Sequence, residues 1–310
     1  MFATDQYELL DFGEGRRLER FGPYVLNRLC PSVEGTRKSR PELWNEIDAI
    51  FVSEKNEPVT SHAAGGRGVW KPVLTPLPEP WNITTESFTL ELKLTPFGHV
   101  GLFPEQAANW LKMMRLLALR PGARVLHLFG YTGAGTLAAA AAGAEVTHVD
   151  AAHNVVEWAK RNAMLSGLEA APIRWIVEDA AKFVRRSLRR GCRYDAILLD
   201  PPSYGHGSKG EVWRLSKHLP ALLRDCFALL SDEPLFLMLT AHTPGYDAPR
   251  LANMLRGASQ GSVSEYRLEE PTGNIRGFRM ALPAASGKRL AAGAGATFLD
   301  ASVIGCNPAS

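Results

Sequence analysis

Two short stretches of this chain hold residue types that could do chemistry. Tyr194 to Tyr204 reads YDAILLDPPSY, an apolar run closed by Asp200 and followed by two prolines, a serine and a tyrosine. Pro201 and Pro202 fix φ and remove two backbone donors, so the exit from the run is stiff and its carbonyls must find partners elsewhere. Those carbonyls could accept hydrogen bonds from an exocyclic amine, and the Tyr204 ring could stack on a planar group. A flat nitrogen heterocycle is the target such a turn suits. Further upstream, Arg124 to Asp150 reads RVLHLFGYTGAGTLAAAAAGAEVTHVD. Here a short apolar run meets a turn carrying Gly130, Gly133 and Gly135, an alanine-rich helical run follows, and a second strand ends on Asp150. The glycines are expected to take positive φ and let the backbone approach a ligand. Thr136 is expected to open the helix with its NH groups facing the bound molecule. A carboxylate at a strand tip suits a ribose diol, which makes Asp150 a candidate ribose ligand.

The same strand, turn, helix and strand unit serves nicotinamide enzymes, but the spacing argues against one. The glycines run G-x-x-G-x-G rather than G-x-G-x-x-G, and Asp150 comes earlier than the separation of about twenty residues in the dinucleotide fingerprint.

The elements that position these residues follow from a regular alternation. Helices are expected near Glu105 to Leu119, Thr136 to Ala142, His153 to Ser166, Ala181 to Arg190, Lys217 to Leu230 and Ala248 to Arg256. Strands fall between them at Arg124 to Phe129, Glu145 to Asp150, Ile173 to Val177, Tyr194 to Asp200 and Leu235 to Leu239. Two late strands are expected near Ser262 to Leu268 and Phe278 to Leu282. This pattern predicts an α/β fold with a doubly wound, mostly parallel sheet covered on both faces. Residues 1–95 have a different texture, with short β-compatible runs broken by glycine and proline, and are expected to form a small β-rich domain that could recognise substrate. The main domain is drawn at 96–285. The Ala-, Gly- and Ser-rich stretch 286–310 is expected to be a partly disordered tail, and the Gly205 to Gly210 loop to be mobile until substrate binds.

Together VLHLFGYTG, EVTHVD, VEDA and LLDPPSYG resemble the motifs of class I S-adenosylmethionine-dependent methyltransferases, most closely the bacterial group that includes methyltransferases of large-subunit ribosomal RNA. The resemblance covers roughly Leu94 to Leu282. It implies a Rossmann-like sheet of seven strands with an antiparallel closing edge, and S-adenosyl-L-methionine as cofactor. It implies that Gly130, Thr132, Gly133 and Gly135, with Phe129 and Tyr131 of the same turn, lie along the methionine part of the cofactor, and that Asp150 holds the ribose. Asp179 and Ala180 would border the adenine, and Asp200 would lie near the methionine amino group. Asp200, Pro201 and Pro202 would form the catalytic turn, with Ser203 and Tyr204 facing the methyl acceptor. Phe97 to Trp110, FGHVGLFPEQAANW, is similar to a family segment that ordinarily reads like G-x-x-x-D-Q-R-x-N-R, but Ala107 and Trp110 stand where that pattern has arginines. Gln106 could still close over the cofactor, and Phe103 is grouped with the substrate residues.

Composition bounds the rest. With 310 residues and 45% hydrophobic content the chain can bury one large core and a smaller one. No apolar run is long enough to span a bilayer, and MFATDQYELL lacks the basic and apolar regions of a signal peptide, so a cytoplasmic protein is expected. Cys30, Cys192, Cys226 and Cys306 form no CxxC pair, which implies no metal site. The net charge of +3 does not by itself argue for nucleic acid, although RRLER, GTRKSR and the Arg185, Arg186, Arg189, Arg190 set gather cations locally.

Methylating C5 of a pyrimidine needs a covalent nucleophile, normally a thiolate, whereas a nitrogen lone pair needs only positioning and a proton acceptor. Neither the turn after Asp200 nor the Leu239-Thr-Ala-His-Thr turn carries a cysteine, so nitrogen of an RNA base is the preferred acceptor, and His242 is a candidate proton acceptor. A small metabolite or a protein side chain is the alternative acceptor, and a module that binds cofactor or RNA without turnover is the remote one.

Overall fold

The computed structural model describes residues 1–53, 67–72, 80–206, 210, 212–261 and 273–304. The chain divides into two compact units, Met1–Ala108 with Ala281–Ala292, and Asn109–Met280 with Gly293–Ser310.

The first unit is β-rich. Strands β1 (Tyr7–Gly13), β2 (Arg16–Phe21), β3 (Tyr24–Leu29), β4 (Ala49–Ser53) and β5 (Gly68–Pro72) form one sheet in that order, and β6 (Trp81–Thr84) pairs with β7 (Thr89–Leu92) in a hairpin. Glu14 and Gly15, both at positive φ, make the tight turn between β1 and β2. Leu9, Leu18, Phe21 and Leu26 are buried, and so is a charged group: the Arg28 guanidinium lies 2.6 Å from Glu19, which also accepts from Tyr7 Oη at 3.0 Å. A buried carboxylate survives only where such donors replace water.

The second unit takes in helix α1 (Ala107–Leu117) from Asn109 on and then alternates, except that the end of its last-but-one strand and the start of its last, within Ala281–Ala292, belong to the first unit. Strand β8 (Arg124–Leu128), helix α2 (Ala134–Ala141), β9 (Glu145–Asp150), α3 (His153–Leu165), β10 (Ile173–Val177), α4 (Ala180–Arg189) and β11 (Ala196–Leu199) follow. A small hairpin, β12 (Tyr204–His206) and β13 (Val212–Arg214), then leads into α5 (Leu215–Leu229), β14 (Phe236–Ala241), α6 (Ala248–Gln260), β15 (Gly273–Pro283), β16 (Arg289–Asp300) and α7 (Ala301–Ile304). The seven-stranded sheet has the order β10-β9-β8-β11-β14-β16-β15. Every described pairing from β10 to β14 is parallel, and β16 runs antiparallel to β14. All four residues of β11 are buried, as a central parallel strand requires. Successive strands run outward in opposite directions from β8 and β11, so the two turns singled out in the sequence open at the switch point of the sheet.

One expectation changes, and two others fall wholly or partly outside the described residues. The stretch expected as a disordered tail contains β16, twelve residues long and inserted beside β14. Its alanines and glycines are there because neighbours come close: a Cβ on Gly295 would lie 2.3 Å from the Phe278 ring and 2.9 Å from the Leu239 carbonyl oxygen. The loop expected at Gly205 to Gly210 starts in a strand, Tyr204 standing opposite Arg214 and His206 opposite Val212, while residues 207–209 lie outside the described residues. The strand expected at 262–268 lies outside the described residues, and the closing antiparallel pair is β15 with β16.

Candidate active site

The turn after β8 carries the strain that a binding site needs, but not where the glycines suggested. Phe129 (φ 57°) and Tyr131 (φ 49°) are left-handed along with Gly133 (φ 90°), whereas Gly130 and Gly135 are not. Two non-glycine residues in this region persist only where surrounding structure holds them. Part of that hold is Asp150 at the tip of β9, whose carboxylate accepts from Tyr131 N and from Ala152 N, both at 3.0 Å. Burial pushes the Asp150 carboxyl up, and the backbone NH groups oppose this.

Gly130 and Gly135 answer a packing demand. A Cβ on Gly130 would lie 2.4 Å from the His148 ring, and one on Gly135 would lie 2.8 Å from the His127 ring. Parallel register sets Trp175, His148 and His127 side by side across β10, β9 and β8. Thr136 of α2 bridges the two histidines, its Oγ1 standing 2.8 Å from each Nδ1. One hydroxyl has one proton, so Thr136 donates to the bare Nδ1 of one imidazole and accepts from the Nδ1–H of the other, which gives the two rings opposite protonation at Nδ1. The titration behaviour agrees. Burial lowers His127 to about 4 against the opposing charge of Asp200, and burial, then His127, lowers His148 well below its ordinary value. His148 Nε2 is buried with no hydrogen-bond partner among the described residues.

The second turn opens next to the first. β11 pairs with β8 on one side and β14 on the other, so Asp200 and the residues after Ala241 leave the sheet together. Asp200 Oδ2 lies 3.2 Å from His242 Nε2, and the Ser203 and Thr243 hydroxyls are hydrogen-bonded. Gly293 of β16 keeps room for this turn, since a Cβ there would lie 2.7 Å from Ala241 O and 3.2 Å from His242 Nδ1. The Pro202 carbonyl accepts from the Trp213 indole at 2.7 Å, and Leu215 N donates to Ser203 O at 3.0 Å. These bonds fix the proline exit to the β12–β13 hairpin. The Pro202 carbonyl thereby has one of its two lone pairs taken by protein. Trp213 is itself held against Phe129 at a ring separation of 5.0 Å. Tyr204, the first residue of the hairpin, is exposed.

The remaining candidates are dispersed. Asp179 caps α4, accepting from Lys182 N at 2.8 Å, and Ala180 is the buried first residue of that helix. Thr132 is buried, and its carbonyl accepts from Asn162 Nδ2 at 2.8 Å. Phe103 and Gln106 belong to the first unit, where Phe103 packs on His99 and Gln106 is buried. Among the described residues no three of His, Cys, Asp and Glu converge as a metal site would require. The sequence reading missed His127, His148, Trp213 and Thr243. A signal for the two histidines existed, because a polar residue in the middle of an otherwise apolar parallel strand, HL in β8 and HV in β9, needs a buried partner.

Comparisons with known proteins point the same way. A family model described as S-adenosylmethionine-dependent methyltransferase matches residues 70–238. The chain is 35% identical over 133 residues to the ribosomal RNA large subunit methyltransferase K/L of Shewanella sp. (strain MR-4), a match covering 42% of this chain and 18% of that protein. It is 36% identical over 153 residues to the ribosomal RNA large subunit methyltransferase K of Neisseria meningitidis serogroup B, covering 49% of this chain and 42% of that protein. The chain thus spans less than half the length of these curated relatives. Among solved structures it is similar to the SAM-dependent methyltransferase from Agrobacterium tumefaciens, with a TM-score of 0.84 and 35% identity over 96% of this chain and 92% of that one.

Proposed function

The chain belongs to the S-adenosylmethionine-dependent methyltransferases, and from that premise we propose that it transfers the methyl group to a nitrogen of an RNA base, with large-subunit ribosomal RNA as the substrate. When bound, S-adenosylmethionine supplies a methyl group already activated on a sulfonium sulfur, which leaves the protein mainly alignment and exclusion of water. The residues of both turns fit that cofactor. Asp150, a half-buried carboxylate with a raised pKa at a strand tip, would accept from the ribose hydroxyls. Phe129, Gly130, Tyr131, Thr132, Gly133 and Gly135 would lie along the methionine part, Asp200 near its amino group, and Asp179 with Ala180 beside the adenine.

The Asp200–His242 pair carries the reading of the acceptor. It sits at the ends of adjacent strands beside the stiff proline exit and the exposed Tyr204 ring. In this mechanism Asp200 and Pro201 present acceptors to the base edge, Ser203 borders it, Tyr204 stacks on its face, and the Asp200–His242 pair, joined by the His242 Nε2–H donating to the Asp200 carboxylate, receives the proton the acceptor nitrogen loses. A base inside a duplex would have to be flipped out to reach the turn. Among the described residues no thiol serves it: Cys30 and Cys226 are buried, burial pushes the Cys226 thiol up, and Cys192 follows α4, away from both turns. Cys306 lies outside the described residues. That disfavours pyrimidine C5. The relatives named above support RNA over a metabolite or protein acceptor.

The test is transfer of radiolabelled methyl to RNA, metabolites and protein from cells lacking this enzyme, followed by nucleoside analysis. Label in one nitrogen-methylated nucleoside of ribosomal RNA is the expected result. Label in 5-methylpyrimidine would overturn the nitrogen assignment, and label confined to metabolites or protein would overturn RNA.

A further inference from the structure

The chain's modest net charge hides an uneven distribution. Helices α4, α5 and α6 together carry eight Lys and Arg and a single Asp, whereas the whole chain has 35 Lys and Arg against 32 Asp and Glu. Counting the capping residues Asp179, Arg190, Arg214 and Asp247 leaves the excess on these helices at seven positive charges, more than twice the net +3 of the chain. The rest of the chain is therefore net negative.

These helices are neighbours. α4 packs on α5 and α5 on α6, and their apolar sides share one core. Their outer sides expose Lys182, Arg185, Arg189, Lys217 and Arg224. Among the described residues Lys182, Arg189 and Lys217 have no ion-pair partner. Asp225, the one carboxylate within the helices, is only partly exposed and feels Arg185 and Arg224. α4 and α6 begin after the carboxyl ends of β10 and β14, and α5 begins after the hairpin that follows β11, so all three start from the end of the sheet at which Asp200 lies.

We propose that the outer face of α4, α5 and α6 is a docking surface for the phosphate backbone of the RNA substrate. The inference rests on the RNA reading above and deepens it by naming the surface. Helix axes packed about 8–10 Å apart spread the cations well beyond one phosphate, so a polyanion is matched and a single small anion is not. An anionic membrane is the weaker match, because interfacial helices also bury large apolar residues, and none of the exposed large hydrophobic residues lies within these helices. Dispersed cations of this kind position a nucleic acid without reading its sequence.

The test compares the full chain with Lys182→Gln/Arg189→Gln/Lys217→Gln and with the charge-keeping Lys182→Arg/Arg189→Lys/Lys217→Arg. The probe is ribosomal RNA purified from cells lacking the enzyme, titrated at several salt concentrations. In the glutamine variant, RNA binding should weaken about tenfold near physiological salt, and the slope of log affinity against log salt should shrink by about 2. Its S-adenosylmethionine affinity should be unchanged, and the charge-keeping variant should bind RNA as the parent does. Equal RNA affinity and slope in all three proteins would overturn the surface assignment while leaving the RNA reading intact. A parent chain that neither binds nor methylates RNA would overturn both. Loss of binding to phosphatidylserine vesicles with RNA binding unchanged would overturn it in favour of a membrane surface.

Discussion

Asp150 and Asp200 are both carboxylates at the ends of buried parallel strands, yet their surroundings assign them different work. Asp150 accepts two backbone NH groups from the strained turn and its neighbour, whereas Asp200 faces an imidazole. Asp150→Ala should therefore raise the dissociation constant of S-adenosylmethionine by about tenfold or more, one lost charge-assisted contact being worth about 1.5–3 kcal/mol, and leave turnover at saturating cofactor comparatively intact. Asp200→Ala should abolish methyl transfer at any cofactor concentration. Isothermal titration with single-turnover assays separates the two, and wild-type activity in Asp200→Ala would remove that residue from the site. Thr136 presents a different test. Its hydroxyl satisfies Nδ1 of both His127 and His148, so Thr136→Val should leave two imidazole nitrogens unsatisfied and cost about 2–4 kcal/mol of stability, measured by denaturant unfolding. Thr136→Ser should restore most of it. A valine variant as stable as the parent would mean that the bridge contributes nothing net.

At the scale of elements, legibility followed chemistry that is local in sequence. Strands β8, β9 and β11 were readable because each is a short apolar run that stops at a turn or an acid, and the acids landed at strand tips as expected. The Asp200–His242 contact was not readable as a pair, since it depends on β11 and β14 being neighbours across 42 residues of chain. Nor was the role of Gly130 and Gly135, because the rings they accommodate belong to strands whose register the sequence does not display. The largest error, β16, came from reading alanine and glycine as low complexity when they mark a close approach. Gly295→Val tests that directly. The new side chain would meet the Phe278 ring and the Leu239 carbonyl, so the closing pair must shift, at a cost of about 1–3 kcal/mol typical of overpacking. Thermal denaturation should show a lower midpoint than for Gly35→Ala, where φ is not positive and nothing lies within 4 Å of the added Cβ. Similar midpoints would mean that β16 is held loosely.

Across the molecule, the two units bury ionisable groups of opposite kinds, and this sets how acid should act on each. The second unit holds His127 and His148 neutral, their pKa values lowered by burial from the ordinary 6.5. A depressed imidazole makes the unfolded chain bind more protons than the folded one, so its contribution is complete above about pH 6.5 and is lost as the pH falls toward the folded value of about 4 for His127. Asp150 and Asp225 work the other way, because their raised carboxyls take up a proton in the folded state first, but they rise from an ordinary value of 3.8, well below that of an imidazole. In the first unit burial would raise Glu19, but the charges of Arg17 and Arg28 prevail and its pKa is lowered. Its contribution therefore persists to the ordinary carboxylate range and is lost only below it. Stability should thus fall between pH 7 and 5 through the second unit, with a slope of up to about 1.4 kcal/mol per pH unit for each excess proton. Denaturant unfolding of the parent and of His148→Gln at pH 7, 6 and 5 measures this. The parent should lose stability across the series, and the variant, less stable at pH 7, should show a shallower dependence because one of the two buried imidazoles is gone. Parallel curves for the two proteins would show that His148 titrates alike in the folded and unfolded chains, and would remove the neutral histidine pair as the support beneath the strained turn.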